Sequence, residues 1–371
     1  MSLHINRFSD VTCLGLALPH AVVDMVGVGI IMRAWCSIMA NEHADVPPLI
    51  VGDPLAEYGA PYPSTRSGVK KLRASMVGTA RVWSLRSKIR YFGRMIFEFV
   101  LSPKEHCGLF FIPMSVVDRI REEGMHEAKE SASTSGGSVW VSENDVITAI
   151  LVKVIYHTYR PILSLCLTLY QIYSFGRSLG DKTPFTIPFT SNIRGHLPSL
   201  PKDSPSVWIH NALVPITTPP FPTYQLLDLS IYQIALKIRQ AVIAQRNVEE
   251  IEKQLTVCRE TARRGSHPAY HSSHGMSYYV TSWASAKLSE LDFSPALLAQ
   301  DSEKSHSHAD RGNVIFAGGS ALLTHHARRK WAVILSKQVN DSSGESGYWC
   351  ETGAVVKVWP LVEEFLSSLR S

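Results

Sequence analysis

The hydrophobic pattern of this chain changes character several times, and each change predicts an element. Thr12 to Leu18 is a nearly unbroken apolar run ended by Pro19, which predicts a buried strand. Val26 to Met39 is as densely apolar, with Arg33 inside it and Asn41 just beyond, which predicts a buried helix. His20 then falls in the turn between a core strand and a core helix. Such a turn holds an imidazole rigidly and leaves one nitrogen facing a cleft.

Farther along, Leu109 to Pro113 reads as a strand and Met114 to Gly124 as an amphipathic helix, with Ser115 as its cap and Gly124 as its stop. Glu127 to Ser138 is polar and reads as a loop, and a helix begins at Asp145 with Ser142 or Asn144 as cap. Phe185–Phe189, Val207–Pro215 and Tyr278–Trp283 are strand candidates. Leu226 to Arg264 is the longest helical stretch. Val314–Phe316, Trp331–Ser336 and Ala354–Val358 look like closing strands, and Leu361–Leu369 like a terminal helix. Strands and helices alternate, so the class is α/β.

Composition narrows the setting. The chain has 371 residues, of which 45% are hydrophobic and 19% charged, enough for two globular domains. Its net charge of +5 suits a small anionic substrate without requiring nucleic acid. The 6 cysteines contain no C-x-x-C pair, and no signal peptide is visible, so a cytoplasmic location is expected. Pro161 to Phe175 is too short and too polar for a membrane span. Five prolines between Val46 and Ser64 mark an extended surface connection. From Arg66 to Arg94 there are nine basic residues and no acid, with Trp83, Tyr91 and Phe92 interleaved. That run is either an anion or nucleic-acid site or a solvated, partly helical linker; no nucleic-acid motif accompanies it.

His20 and Asp24 make an H-x-x-x-D spacing that means little alone in a chain with 15 histidines. His306 and Asp310 repeat it within a polar stretch, read as a solvated loop. His267, His271 and His274 imitate a zinc site, but no Cys or carboxylate completes it and Pro268 and Gly275 suggest a loop, so no metal is expected. Gly318-Gly319-Ser320 lacks the lysine and spacing of a phosphate loop and reads as a tight turn.

Several stretches, in order, resemble the BAHD (HxxxD) acyl-CoA-dependent acyltransferases, in their fungal secondary-metabolism branch. They are Arg7 to Gly15, His20 to Asp24, Phe110-Phe111-Ile112-Pro113, Ser142 to Ala149, Ser191-Asn192-Ile193-Arg194, His210 to Pro215, and Thr281-Ser282-Trp283 leading to Asp292-Phe293. The resemblance implies a two-domain fold like that of chloramphenicol acetyltransferase, with mixed sheets and an interdomain channel. It implies transfer of an acyl group, acetyl in the first instance, from acyl-CoA to a hydroxyl of a hydrophobic small molecule. His20 is then the general base, and Asp24 is structural and paired with Arg194. Asn211 lies near the reaction centre, and Thr281, Ser282 and Trp283 border the pantetheine arm of coenzyme A. No bound cofactor, nucleic-acid partner or membrane span is implied, and the protein is expected to act as a monomer.

The chain departs from the family pattern at Met25, where relatives carry Gly, and at Asp292-Phe293-Ser294-Pro295-Ala296, where relatives read Asp-Phe-Gly-Trp-Gly. Relatives also carry most of the first domain's sheet ahead of the motif. The expected division is therefore residues 1–88 as an incomplete first domain, 89–108 as crossover linker, and 109–371 as second domain with a foreign insertion near 153–175. A non-catalytic, truncated paralogue or a misannotated gene product is the alternative reading.

Overall fold

The computed structural model describes residues 2–58, 65–78, 83–101, 104–131, 140–154, 183–297 (apart from 267 and 274), 312–319, 331–340, 344–356 and 359–370. In chain order the elements begin with β1 (Ser2–Arg7), β2 (Thr12–Ala17), α1 (Met25–Met39), α2 (Arg66–Ser75) and α3 (Leu85–Leu101). Next come β3 (Glu105–Pro113), α4 (Met114–Ser131), α5 (143–154), β4 (Pro184–Thr186), β5 (Pro188–Asn192), β6 (Leu213–Thr217) and β7 (Phe221–Pro222). They close with α6 (Gln225–Asp228), α7 (Ile231–Gln245), α8 (Val248–Arg263), β8 (Met276–Ser277), β9 (Tyr279–Ser282), β10 (Trp331–Asn340), β11 (Glu345–Val355) and α9 (Trp359–Ser368). The class is α/β with mixed sheets.

Two compact units form, each from separated pieces of sequence. The first comprises Met1–Leu55, Asn192–Leu213 and Trp283–Ala317; the second comprises Ala56–Ser191, Val214–Ser282 and Gly318–Ser371. The sequence division at residues 88 and 109 follows chain order, whereas these units return to the same neighbourhood three times each. Residues 89–101 of the expected linker belong to a helix, α3, which begins at Leu85, and β3 begins at Glu105.

The second unit is built on a six-stranded sheet of order β3-β11-β10-β9-β5-β6. β10 pairs antiparallel with β11 and parallel with β9, so the sheet is mixed. Residues 332–336 of β10 are all buried, as befits a central strand covered on both faces. β6 lies at the sheet edge, and the buried Gln245 amide pairs with it as a further strand would. Its Oε1 accepts from the Thr217 amide at 3.2 Å and its Nε2 donates to the Thr217 carbonyl at 2.7 Å. β4 joins β7 and β8 in a small three-stranded sheet.

The helices are bounded by caps that the sequence carries. Ser142 and Asp145 form a reciprocal cap at the start of α5. The Asp145 carboxylate accepts from the Ser142 amide at 2.8 Å, and the Ser142 hydroxyl accepts from the Asp145 amide at 3.3 Å. Ser230 and Gln233 make a full capping box for α7, and Asn247 caps α8. Those two signals split the single helix read over Leu226–Arg264. Gly124 does not stop α4, which continues to Ser131, and Ser115 donates to Glu345 instead of capping it. A Cβ on Gly124 would meet Tyr232 Cγ at 2.0 Å, so the glycine lets α4 lie flat against the aromatic ring. β11 starts nine residues before the strand expected at Ala354, and residues 314–316 are not a strand. Residues 155–175, with most of the proposed insertion, lie outside the described residues.

Gly124→Ala tests whether packing outweighs propensity. Alanine favours a helix interior by about 1 kcal/mol over glycine. The clash with the Tyr232 ring is an overpacking that costs about 1 to 3 kcal/mol. Urea unfolding followed by circular dichroism should therefore show a net loss of stability; a gain would mean that α4 does not lie on Tyr232.

Candidate active site

The first unit assembles around the turn that follows β2. β1 and β2 form a two-stranded antiparallel sheet with Ser2 opposite Ala17 and Arg7 opposite Thr12. This corrects the expectation of a buried strand: the run is apolar and is a strand, but β1 is exposed throughout and β2 alternates between exposed and half-buried. His20 is exposed, in a turn closed by the Val22 amide donating to the Pro19 carbonyl at 2.9 Å.

α1 starts at Met25, directly after its N-cap Asp24. Met25 is an ordinary first helical residue, and among described residues only Asn41 and Lys287 are non-glycine with positive φ, so glycine is not needed there. The helix is wedged between two backbones. A Cβ on Gly27 would lie 1.9 Å from the Ile209 carbonyl oxygen, and one on Gly29 would lie 2.3 Å from that of Ala286. Arg33 donates to the same Ala286 carbonyl at 2.7 Å, and Trp35 meets the edge of Phe293 at 5.8 Å between centroids. Burial pulls the Arg33 guanidinium below the ordinary arginine value, against the opposing pull of Glu290. Only Gly27, Gly29 and Met32 of α1 are fully buried, so the helix is half-covered and not a core helix.

The Asp24 carboxylate is fully enclosed and completely used. One oxygen accepts from the Gly27 amide at 2.9 Å and from Arg194 Nη2 at 3.1 Å. The other accepts from Arg194 Nη1 at 2.9 Å and from the Ala212 amide at 2.9 Å. The Gly27 bond is the N-cap bond of α1, so one carboxylate both caps a helix and meets an arginine fork.

Arg194 is as fully committed. Beyond Asp24, its Nε donates to the Trp208 carbonyl at 2.8 Å, Nη1 to Asn192 Oδ1 at 3.1 Å, and Nη2 to the His210 carbonyl at 2.5 Å. All five N–H groups of the guanidinium therefore have acceptors. Asn192 also accepts from the Arg194 backbone amide at 3.1 Å, and Gly195 takes a positive φ of 79° that turns the chain back so that its amide reaches the Leu200 carbonyl.

With four donors on Asp24, none of them an imidazole, the carboxylate has no lone pair left to orient His20. The histidine turn is held from the other side. Asn211 Nδ2 donates to the His20 carbonyl at 2.7 Å, and His210 Nδ1 lies 3.0 Å from the Val22 carbonyl, which requires the proton on Nδ1. Val23 and His210 add a backbone bridge. Asn211 Oδ1 is buried and has no hydrogen-bond partner among the described residues. Exchanging its amide atoms would set oxygen against the His20 carbonyl, so the assignment is determined.

Of the residues singled out in the sequence, His20, Asp24, Arg194 and Asn211 come together. Thr281 and Ser282 lie at the end of β9 in the second unit, where Thr281 shares a 2.8 Å hydroxyl contact with Thr190, and Trp283 begins the last piece of the first. His210 was not singled out; its position next to Asn211 was the available signal. His306 and Asp310 lie outside the described residues, as do His267 and His274. His271 stacks on Tyr91 at 5.2 Å. Among the described residues no group of His, Cys, Asp and Glu could hold a metal ion, and no helix is long and apolar enough to cross a membrane.

No family model matches the chain. It is 25% identical over 380 residues to the acetyltransferase adrJ of Penicillium rubens, covering all of this chain and 69% of that one. It is 24% identical over 375 residues to the acetyltransferase sphE of Aspergillus fumigatus, covering 100% of this chain and 67% of that one. In fold it is similar to F. sporotrichioides TRI101, solved in complex with coenzyme A and T-2. That match has a TM-score of 0.55 and 13% identity over 98% of this chain and 67% of the other. The chain thus spans about two thirds of the relatives it matches.

Asp24→Ala leaves the arginine fork without its acid, a loss of about 3 to 5 kcal/mol for a buried pair. Arg194→Lys keeps the charge but gives three donors to five acceptors, so it should fall between the two. In both variants amide hydrogen exchange at Gly27 and Ala212 should accelerate ahead of global unfolding. Unchanged protection at those two amides would show that the carboxylate does not hold them.

Proposed function

We propose that this chain, which belongs with the fungal secondary-metabolite branch of the BAHD acyltransferases, moves an acyl group from acyl-CoA to a hydroxyl of a hydrophobic small molecule. Acetyl-CoA is the donor we expect first, given the names of the relatives. The observation that carries the reading is the contrast within one motif. Asp24 is enclosed with every acceptor site filled, while His20, four residues earlier, is exposed on a turn pinned by Asn211.

In this reading a ring nitrogen of His20 takes the proton from the acceptor hydroxyl as its oxygen attacks the thioester carbonyl. The tetrahedral intermediate collapses by breaking the carbon–sulfur bond, and the imidazolium returns the proton to the departing coenzyme A thiolate. An imidazole suits both steps because its pKa lies near neutrality. Asp24 and Arg194 fix where the turn sits and take no part in the proton transfer. Asn211, whose Nδ2 donates to the His20 carbonyl, holds the turn that carries the base. Thr281, Ser282 and Trp283 are assigned to the pantetheine arm. A cytoplasmic, monomeric enzyme without metal completes the proposal.

His20→Ala should lower kcat/KM by about 10² to 10⁴ while coenzyme A still binds, because the base is lost and the donor site is not. His306→Ala, in the second H-x-x-x-D spacing, should leave turnover unchanged. Steady-state assays with acetyl-CoA and calorimetry with coenzyme A separate the two effects. Equal turnover in the His20 variant would end the assignment, and a folded chain that transfers nothing favours the non-catalytic alternative.

A further inference from the structure

Helix α3 is mounted inside out. Its inward side, toward the rest of the second unit, carries Ser87, Tyr91 and Arg94, all partly buried. Tyr91 stacks on His271 and lies 4.6 Å from Trp83 between centroids, and Arg94 Nη1 donates to the Gly275 carbonyl at 2.9 Å. The opposite side carries Leu85, Ile89, Phe92, Ile96 and Val100, which are 73%, 63%, 49%, 61% and 68% exposed. Their spacing of four, three, four and four residues places them within about 80° of arc, as a stripe about 23 Å long. A helix at a domain surface normally shows the reverse pattern.

Charge tells what this stripe fits. Arg86 and Arg90 flank it on one side and Lys88 on the other, all exposed. Glu98 is the only acid in sequence between Arg66 and Leu101, against nine bases. An apolar stripe edged by cations matches the boundary layer of an anionic bilayer, where acyl chains take the aliphatic side chains and headgroups take the bases. A second copy would bring like charges together along both flanks. Nucleic acid would leave the isoleucines with nothing to contact, and the aromatics that stack on bases, Trp83 and Tyr91, face inward.

We propose that α3 is a membrane-surface helix, lying in the headgroup region of an anionic lipid leaflet with Leu85, Ile89, Phe92, Ile96 and Val100 toward the acyl chains. It rests on the exposure of the helix and not on the acyl-transfer reading. No span is involved: among the described residues no helix is long and apolar enough to cross a membrane, and α3 lies along the surface.

Flotation of the purified chain with vesicles tests this. Binding is expected to vesicles of phosphatidylcholine mixed with phosphatidylserine, to be much weaker to phosphatidylcholine alone, and to fall as salt rises. Ile89→Asp combined with Ile96→Asp should cut partitioning at least about tenfold. Arg86→Gln, Lys88→Gln and Arg90→Gln together should cut it about a hundredfold, at about fivefold per base, and flatten the salt dependence. All these side chains are exposed, so circular dichroism should show both variants folded, and either suffices if the other is not. His20→Ala should bind vesicles like the parent, which keeps this test independent of catalysis. Absence of binding to the acidic vesicles overturns the proposal, as does binding indifferent to both variants. Self-association abolished by the isoleucine changes, or oligonucleotide binding abolished by the basic ones, would assign the face elsewhere and equally overturn it.

Discussion

One ion pair organises the first unit. Asp24 and Arg194 are 170 positions apart, and their contact requires two separated pieces of chain to meet. Closing so long a loop costs entropy that must be repaid by many bonds at once. Counting both partners, the carboxylate and guanidinium engage Gly27, Ala212, Trp208, His210 and Asn192 in addition to each other. A buried ion pair with unfilled hydrogen-bond sites is poor compensation for its desolvation. Here none is unfilled, which is the condition under which such a pair holds a fixed geometry. The planar fork matters as much as the charge, since it fixes direction as well as distance.

The pair works only because backbones come unusually close. Gly27 allows α1 to touch Ile209, and that approach brings the Ala212 amide and the His210 carbonyl within reach of the same two side chains. Gly29 does the same toward Ala286 on another side of the helix. Two glycines in a helix interior each cost about 1 kcal/mol relative to alanine. The cost is offset by the contacts they admit, and local propensity yields to tertiary packing here as it does at Gly124.

These closures explain what was legible in the sequence. The bounds of helix α1 and the His20 turn were readable to within a residue, because apolar density and a terminating proline are local signals. The pairing of Asp24 with Arg194 was not local, and came only through family resemblance. Apolar content misled at Thr12–Leu18: a strand was present, but in a two-stranded sheet whose side chains are exposed or at most half-buried. Glycine misled at Gly124, since a stop and a close packing contact look alike in sequence. β11 was read too short because Gly347 and Ser346 at its start do not look like strand residues. The starts of α7 and α8 were written in the caps Ser230 and Asn247, which a reading of Leu226–Arg264 as one helical stretch passed over.

The motif's economy lies in keeping its two polar ends apart. Had Asp24 been free to accept from the imidazole, it would have tied the ring to the helix. With every lone pair of Asp24 taken, His20 receives position from the turn and no charge from the acid directly. Its backbone is held by Asn211 and its neighbour Val22 by His210, while the ring stays exposed. An acid four residues from a base is usually read as its partner in proton transfer. In this chain it is the partner of the scaffold, which leaves the exposed imidazole to the role of base proposed for it.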